Sequence, residues 1–258
     1  MNGAPSDEIV WRYLTFPKFL AMLEFGALWM SRLQILQDRF EGTLPYATRV
    51  GMIKGDLKWR ESFRQPELQA QLTTMTDRNV EDGRDVLLVN CWFSGEHESE
   101  RMWAEYSNQT EGIAIRSTLT RLESSIVAKQ EFTRVGKVRY VDFSTHDMGV
   151  YAGHQAHERA LIKQVEYSHE CEIRIITMNL VCPGCLNIDG SPPTPSQLSG
   201  PGMFDPNRPG LYLRVDLNTL IQKVVTAPRA ADWFYNLVAK LCKRYGVQCT
   251  PEASSLVQ

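Results

Sequence analysis

The first part of the chain combines short apolar runs, typical of strands, with one amphipathic helix. The segment 9–14 (Ile-Val-Trp-Arg-Tyr-Leu) is rich in β-branched and aromatic residues, which favours a strand. Thr15 and Pro17 predict the start of a helix, because threonine caps helices and the first helical turn tolerates proline. Four apolar residues then recur at helical spacing: Phe16, Phe19, Leu20 and Leu23. Gly26 predicts the end of this helix.

Further strands and helices are predicted along the rest of the chain. The near-continuous apolar run at 86–93 indicates a central strand, and the isoleucine-rich segment 171–178 indicates another. The remaining strands are predicted at 27–31, 112–116, 138–143, 211–217 and 221–226. The remaining helices are predicted at 67–79, 98–106, 153–165 and 232–245. In the last helix, one apolar face is expected to carry Trp233, Leu237, Leu241 and Tyr245. The segment 33–55 is expected to be irregular because glycine and proline interrupt it.

These elements predict an α+β fold with a mixed, mostly antiparallel sheet as its core and helices on its flanks. The segment at about 183–209 is dense in proline, glycine and serine, which indicates a long loop. Strand and helix patterns resume after it, so the loop is interpreted as an insertion and residues 1–258 as one domain.

The composition is that of an ordinary globular protein. Hydrophobic residues make up 43% of the 258 residues and the formal net charge is −2, which gives no sign of a basic arm for nucleic acid. No apolar run approaches the roughly 20 residues of a membrane span, and the polar N-terminus lacks a signal-peptide pattern. Six scattered cysteines do not suggest a disulfide scaffold. We therefore expect a cytoplasmic location and no membrane partner.

The strongest candidate for chemistry is the sequence Glu-Cys-Glu-Ile-Arg at 170–174. In a strand, alternate side chains share a face, so Glu170, Glu172 and Arg174 are expected to project together. The two carboxylates would lie about 7 Å apart, which suits two different tasks. Arg174 would keep Glu172 ionised. The alternative is a half-buried strand with one solvated, charged face.

A second group of candidates could bind a ligand. Trp103 and Tyr106 are three residues apart on a predicted helix, so they could sandwich a flat ring or anchor the helix to the core. Arg12, in the middle of a strand, needs an anionic partner if it is buried; Glu41, Glu172 or a bound phosphate could serve. Ser94 ends the central strand, where side chains often line pockets.

The cysteine and histidine motifs do not indicate a metal site. Cys182 and Cys185 have the spacing of redox pairs and zinc sites, but no second close pair follows, so an incidental pair in a loop is favoured. His154 and His157 lack the i, i+4 spacing of zinc proteases. No metal is expected. The chain also lacks a P-loop, a dinucleotide fingerprint and a nucleophile elbow.

Several motifs together are similar to a bacterial family known as domain of unknown function 2971. They span most of the chain: Trp-Arg-Tyr at 11–13, Asp-Arg-Phe-Glu-Gly at 38–42, Cys-Trp-Phe-Ser at 91–94, Met-Trp-Ala-Glu-Tyr at 102–106, Gly-Ile-Ala-Ile at 112–115 and Glu-Cys-Glu-Ile-Arg-Ile at 170–175. The family usually has Asn-Asp-Pro-Phe-Glu where this chain has Gln-Asp-Arg-Phe-Glu at 37–41. This resemblance implies a family membership without a settled activity.

The layout also resembles that of ADP-ribosyltransferases, which have an early strand with an arginine, a middle strand ending in serine and a late strand with Glu-x-Glu. The resemblance implies that Arg12 holds the phosphates of NAD and that Ser94 positions the nicotinamide ribose. Glu172 would stabilise the cationic transition state, and Glu170 would serve the attack of the acceptor. Here the middle strand ends in Phe-Ser-Gly instead of the usual Ser-Thr-Ser.

Three functional hypotheses follow. The first is an NAD-using enzyme, either ADP-ribosyltransferase-like or glycohydrolase-like, in a bacterial defence or toxin role. In it, NAD is the substrate, Trp103 or Tyr106 stacks on nicotinamide, and the acceptor, whether protein or nucleic acid, is open. The second is a non-catalytic module or sensor that binds a nucleotide or nucleic acid. The third is a scaffold in which these motifs serve only packing and ion pairing.

Overall fold

The computed structural model describes residues 7–36, 38–61, 84–127, 132–149, 155–205 and 207–256. It confirms the predicted α+β fold, with a mostly antiparallel sheet of ten strands and helices on its flanks. The predicted helix at 67–79, the residue Gln37 and the candidate His154 lie outside the described residues. Within the described ranges, we find no helix with both the length and the apolar character that crossing a membrane requires.

The strands of the described chain are β1 (Ile9–Thr15), β2 (Ala27–Arg32), β3 (Leu87–Ser94), β4 (Gly112–Thr118), β5 (Arg134–Lys137), β6 (Arg139–Val141), β7 (Ile162–Gln164), β8 (Glu172–Met178), β9 (Cys185–Leu186), β10 (Gly210–Arg214), β11 (Lys223–Thr226) and β12 (Glu252–Ala253). The main sheet runs in the order β12-β11-β4-β1-β3-β2-β10-β9, with β8 paired to β3 and β5 paired to β8. Its pairs are antiparallel except for β11 with β12. The strands β6 and β7 form a separate parallel pair.

The central strand β3 organises the region around the candidate residues. It pairs with β8 from Leu87 to Phe93. At its end it pairs with β1, where Val10 faces Ser94, and near its beginning it pairs with β2, where Ser31 faces Val89. β1 and β2 therefore pair with opposite ends of β3. This arrangement brings β1 and β8 close to the same part of β3.

The helices are α1 (Phe16–Phe25), α2 (Tyr46–Glu61), α3 (Glu100–Tyr106), α4 (Leu119–Ser124), α5 (Ala156–Arg159), α6 (Leu217–Leu220) and α7 (Asp232–Arg244). Short 3-10 turns cover Leu33–Ile35, Val165–Glu170 and Gly200–Met203. As predicted, α1 has proline in its first turn and ends at Gly26, whose left-handed conformation (φ 56°) suits a residue without a side chain.

Three predictions about helical segments need correction. The segment 33–55 is not irregular throughout, because α2 begins at Tyr46, directly after Pro45. The segment 153–165 is helical only at Ala156–Arg159 and continues into β7. In α7 the predicted face is correct only in part, because Leu241 and Tyr245 pack against the core while Trp233 is 58% exposed. The fully buried residues of α7 are Phe234, Val238 and Cys242. Adjacent stripes of α7 are both apolar, so periodicity alone could not decide which one faces the sheet.

Candidate functional site

The two candidate glutamates lie on either side of Cys171, where a 3-10 turn meets β8. Cys171 adopts a left-handed conformation, with φ 40° and ψ 51°. Among the described residues it is the one non-glycine residue with a positive φ. Glu170 therefore ends the turn and Glu172 begins the strand, and the two are not alternate residues of one strand. A left-handed conformation costs an L-residue about 1–2 kcal/mol, and such strained residues are concentrated at functional sites.

The side chains of Glu172 and Arg174 meet in the interior of the protein. The Arg174 guanidinium is fully buried and donates to both carboxylate oxygens of Glu41, at 2.7 and 2.8 Å. It also donates to Glu172 at 2.6 Å and to the carbonyl oxygen of Ala160 at 2.8 Å. The predicted contact between Arg174 and Glu172 is thus present, but in a buried network and not on a solvated strand face.

Lys163 completes this network and was missed by the sequence analysis. Its ammonium lies 2.7 Å from Glu172 and 3.2 Å from Glu41, and it also donates to Glu170. We name the five buried groups the carboxylate cluster: Glu41, Glu170, Glu172, Lys163 and Arg174. Three carboxylates face two cations, so the cluster would carry one net negative charge if every member were ionised.

The pKa values of the two candidate glutamates are shifted in opposite directions. Burial, and then the neighbouring Glu172, raises the pKa of Glu170 from its ordinary value to about 7. Burial also acts to raise the pKa of Glu172, but Arg174 and Lys163 outweigh it and hold that pKa well below the usual range. Near neutral pH, Glu172 is therefore ionised, while Glu170 is present in both its protonated and its ionised form. Pairs of carboxylates with such divided pKa values are typical of acid–base sites.

Tyr106 connects helix α3 to the cluster. Its hydroxyl donates a hydrogen bond to Glu170, although its ring is 42% exposed. Burial and this contact raise the pKa of Tyr106, so the phenol keeps its proton. Tyr140 supports the cluster from β6, because its hydroxyl oxygen accepts a hydrogen bond from the backbone N–H of Glu172 at 2.7 Å.

The raised pKa of Glu170 predicts a pH-dependent stability. A carboxyl with a higher pKa in the folded than in the unfolded state binds more protons when folded. Its contribution to the free energy of unfolding is present below about pH 4.5 and is lost as the pH rises through about 7. The loss is at most about 1.4 kcal/mol per pH unit. Urea unfolding between pH 5 and 7 measures it, and Glu170→Gln should flatten the slope in that window. An unchanged slope in the variant would contradict the assignment to Glu170.

Arg12 and Ser94 lie on the paired strands β1 and β3, but their side chains make different contacts. The Arg12 guanidinium donates to the carbonyl oxygen of Cys91. Burial lowers the pKa of Arg12, while the negative charge of Glu172 acts in the opposite direction. Ser94 donates to the Glu8 carboxylate, which also accepts from Lys137. Arg12 is therefore near the carboxylate cluster, whereas the Ser94 hydroxyl is engaged by a surface ion pair.

Trp103 and Tyr106 separate on α3. The Trp103 ring is completely buried and meets Tyr13 edge-on, with ring centres 5.1 Å apart. Its indole N–H donates to Glu98 at 3.0 Å. Of the two predicted aromatic residues, Tyr106 reaches the carboxylate cluster and Trp103 packs in the core.

A cavity of about 300 Å³ adjoins the carboxylate cluster. It is lined by Asp38, Arg39, Phe40, Gln164, Glu166 and Tyr167. Two segments build both features, since 38–41 supplies Glu41 to the cluster and 163–167 supplies Lys163. Tyr167 lines the cavity, and its ring centre lies 4.6 Å from the Lys163 ammonium, so this ring is in contact with both the cavity and the cluster. The volume is near the lower end of the range of about 300–1,000 Å³ that is typical of ligand pockets.

Asp38, in the wall of this cavity, is an unusual carboxylate. One of its oxygens accepts from the backbone N–H of Phe40 at 2.8 Å, and the other is buried without a hydrogen-bond partner. Burial raises its pKa. A buried carboxylate oxygen of this kind is a ready acceptor for a ligand N–H or O–H group.

One group in the described part of the chain has the geometry of a cation site. Ligand atoms of Glu105, His169 and Glu170 lie within 4.8 Å of one another, and the His169 ring lies 3.2 Å from Glu105. Both oxygens of Glu170 already accept hydrogen bonds, from Tyr106 and from Lys163. A metal would have to compete with these two donors.

Comparison of this chain with models of known protein families, with curated proteins and with solved structures gave no significant match. The fold and the site define an α+β protein with a buried carboxylate cluster beside a small cavity. The resemblances to the family of unknown function and to ADP-ribosyltransferases stay predictions.

Proposed function

We propose that this protein is an NAD-using enzyme, ADP-ribosyltransferase-like or NAD glycohydrolase-like, that cleaves the bond between nicotinamide and ribose. One observation carries the proposal: two buried carboxylates, Glu170 and Glu172, converge on the Lys163 ammonium near a cavity that can admit part of a ligand, and their pKa values are shifted in opposite directions. Carboxylates divided in this way can serve two steps of one reaction.

The chemistry assigns one role to each glutamate. Nicotinamide leaves with the electron pair of the C–N bond, and positive charge develops on the ribose. The ionised Glu172 stabilises this charge, most strongly where water is excluded. A lone pair of the acceptor then forms the new bond to the ribose, and Glu170 takes the proton that the acceptor releases. Water as the acceptor gives a glycohydrolase, and a nucleophile on another molecule gives a transferase.

In this proposal, Arg12 and two aromatic residues of the cavity wall would bind NAD. Arg12 brings a positive charge close to Glu172 and is the candidate for the pyrophosphate. Phe40 and Tyr167 present aromatic rings to the cavity, and we assign to them the stacking on nicotinamide. Trp103 is less suited to that role because its ring is completely buried. An enzyme of this kind would deplete NAD in the cell, which is how the predicted defence or toxin role would act.

The alternative is a non-catalytic module that binds a nucleotide. A specific observation favours it: each carboxylate of the cluster already contacts a cation, and Glu172 is only 4% exposed. In that case the cluster fixes the fold, and the cavity alone binds the ligand. The two proposals differ in turnover: the module binds NAD but releases no nicotinamide, whereas the enzyme releases nicotinamide and loses this activity in Glu170→Gln.

The test is to incubate the purified protein with NAD and to follow the release of nicotinamide. Glu172→Gln should lower the rate by about 100-fold or more, because it removes the charge beside the ribose. Glu170→Gln, which has the shape of the protonated side chain, is the second variant in case Glu172→Gln folds poorly. The matched control is Glu252→Gln in an exposed ion pair with Lys223, which should keep the wild-type rate.

Two results would contradict the enzymatic proposal. One is a wild-type protein that releases no nicotinamide, with water or with a mixture of protein and nucleic-acid acceptors, and shows no thermal shift with NAD. The other is full activity in a folded Glu172→Gln variant.

A further inference from the structure

Cys182 and Cys185, which lie outside the carboxylate cluster, have their sulfur atoms in direct contact. The two sulfur atoms lie 2.8 Å apart, closer than ordinary non-bonded contact. The backbone N–H of Cys185 donates to the carbonyl oxygen of Cys182 at 3.0 Å, so a tight turn fixes their separation. A disulfide forms only when the two side chains already point at each other, and here they do.

The two cysteines differ in access to solvent. Cys182 is half-buried, whereas Cys185 is 1% exposed and belongs to the main hydrophobic core. A small oxidant therefore reaches Cys182 first, and Cys185 lies within bonding distance behind it. Redox-sensing cysteines are typically an accessible thiol next to a resolving thiol.

We propose that Cys182 and Cys185 form a reversible redox site that reacts with hydroperoxides. The Cys182 sulfur attacks the peroxide, the O–O bond breaks, and a sulfenic acid and one water result. The Cys185 sulfur then attacks the Cys182 sulfur and releases the second water. In total, two thiols and one hydrogen peroxide give one disulfide and two waters, so the pair loses two electrons and the peroxide gains them. A dithiol reverses the step by exchange.

The disulfide would fasten one edge of the main sheet. Cys185 opens β9 and pairs with Leu213 of β10, and the backbone N–H of Arg214 donates to the carbonyl oxygen of Gly184 at 3.0 Å. Cys185 and Leu211 also line a cavity of about 440 Å³, together with Asp189 and Arg208 from the long loop. A disulfide would therefore restrict the turn at 182–185, which leads into the edge strand β9 and forms part of the wall of this cavity.

The experiment treats the full chain with hydrogen peroxide, blocks the remaining thiols with an alkylating agent and maps the peptides. We expect Cys182 and Cys185 to lose alkylation in parallel and to appear as one linked peptide that dithiothreitol restores. The oxidised protein should melt about 2–5 °C higher than the reduced protein, because the crosslink restricts the unfolded chain.

The variants make the assignment specific. Cys182→Ser should slow the oxidation of Cys185 at least about tenfold, since the accessible thiol is then missing. Cys249→Ser, a half-buried cysteine outside the pair, is the control and should leave the linked peptide unchanged. Oxidation of Cys182 to sulfinic acid without a link to Cys185 would overturn the proposal. So would equal oxidation of Cys185 in wild type and in Cys182→Ser.

Discussion

Replacing Arg174 by methionine is expected to lower the free energy of unfolding by about 3–5 kcal/mol. Arg174 is fully buried and is bonded to two carboxylates, Glu41 and Glu172. Its loss leaves those charges in the interior with Lys163 as their remaining ion-pair partner among the described residues. An uncompensated buried charge costs far more than the net value of the original pair. Urea unfolding followed by circular dichroism measures the change.

Arg101→Met is the matched control for this prediction. Arg101 pairs with Glu105 one turn further along α3, and 58% of its side chain is exposed. Exposed pairs of this kind contribute about 0.3–0.5 kcal/mol, so the control should be close to the wild type. If Arg174→Met were no more destabilising than Arg101→Met, the carboxylate cluster could not be the tightly paired unit described above.

Trp103→Ala should destabilise the protein by a similar amount, about 3–5 kcal/mol. The ring is completely buried among Tyr13 and its neighbours, and its N–H is bonded to Glu98. Removing it leaves a large void, while Glu98 keeps the hydrogen bonds that it accepts from Ser254 and Ser255. The exposed Trp233 provides the control, because Trp233→Ala removes far less buried surface and should cost less than about 1 kcal/mol.

The Trp103 variant also separates two roles for this residue. If its indole serves the core, stability falls and the variant that remains folded still binds NAD. A Trp103→Ala protein with wild-type stability and no NAD binding would instead support the hypothesis that the ring stacks on the ligand.

The strands with the clearest patterns could be predicted from the sequence. The β-branched and aromatic run of β1, the continuous apolar run of β3 and the isoleucines of β8 are each confirmed within one or two residues. These strands are adjacent in the sheet, where burial on both faces demands such sequences. Local composition was sufficient here because it follows directly from that burial.

Lys163 could not be predicted, and the reason is physical. A lysine is normally a surface residue, and its burial requires carboxylates that only the fold can supply. Here they come from Glu41, more than a hundred residues earlier, and from Glu170 and Glu172. The segment around Lys163 was also predicted as helix, whereas β7 is a short strand that pairs with β6. Nothing in the local pattern indicates such distant partners.

The prediction that Glu170 and Glu172 project to the same side was made for the wrong reason. Strand alternation placed them on one face, but the left-handed Cys171 separates a turn from a strand, and Lys163 draws both carboxylates to one point. The conformation of a single non-glycine residue is not visible in hydrophobic periodicity. The residue types were therefore informative, while their geometry depended on contacts across the fold.

The most direct test of the divided carboxylate pair is a pH titration of the glutamate side-chain carbons by nuclear magnetic resonance, with Glu170→Gln to assign the Glu170 signal. We predict a midpoint at about pH 7 for Glu170, while the midpoint of Glu172 lies well below pH 4.5. If both carboxyl groups titrated together near pH 4.5, neither the divided pair nor the chemistry proposed for it could stand.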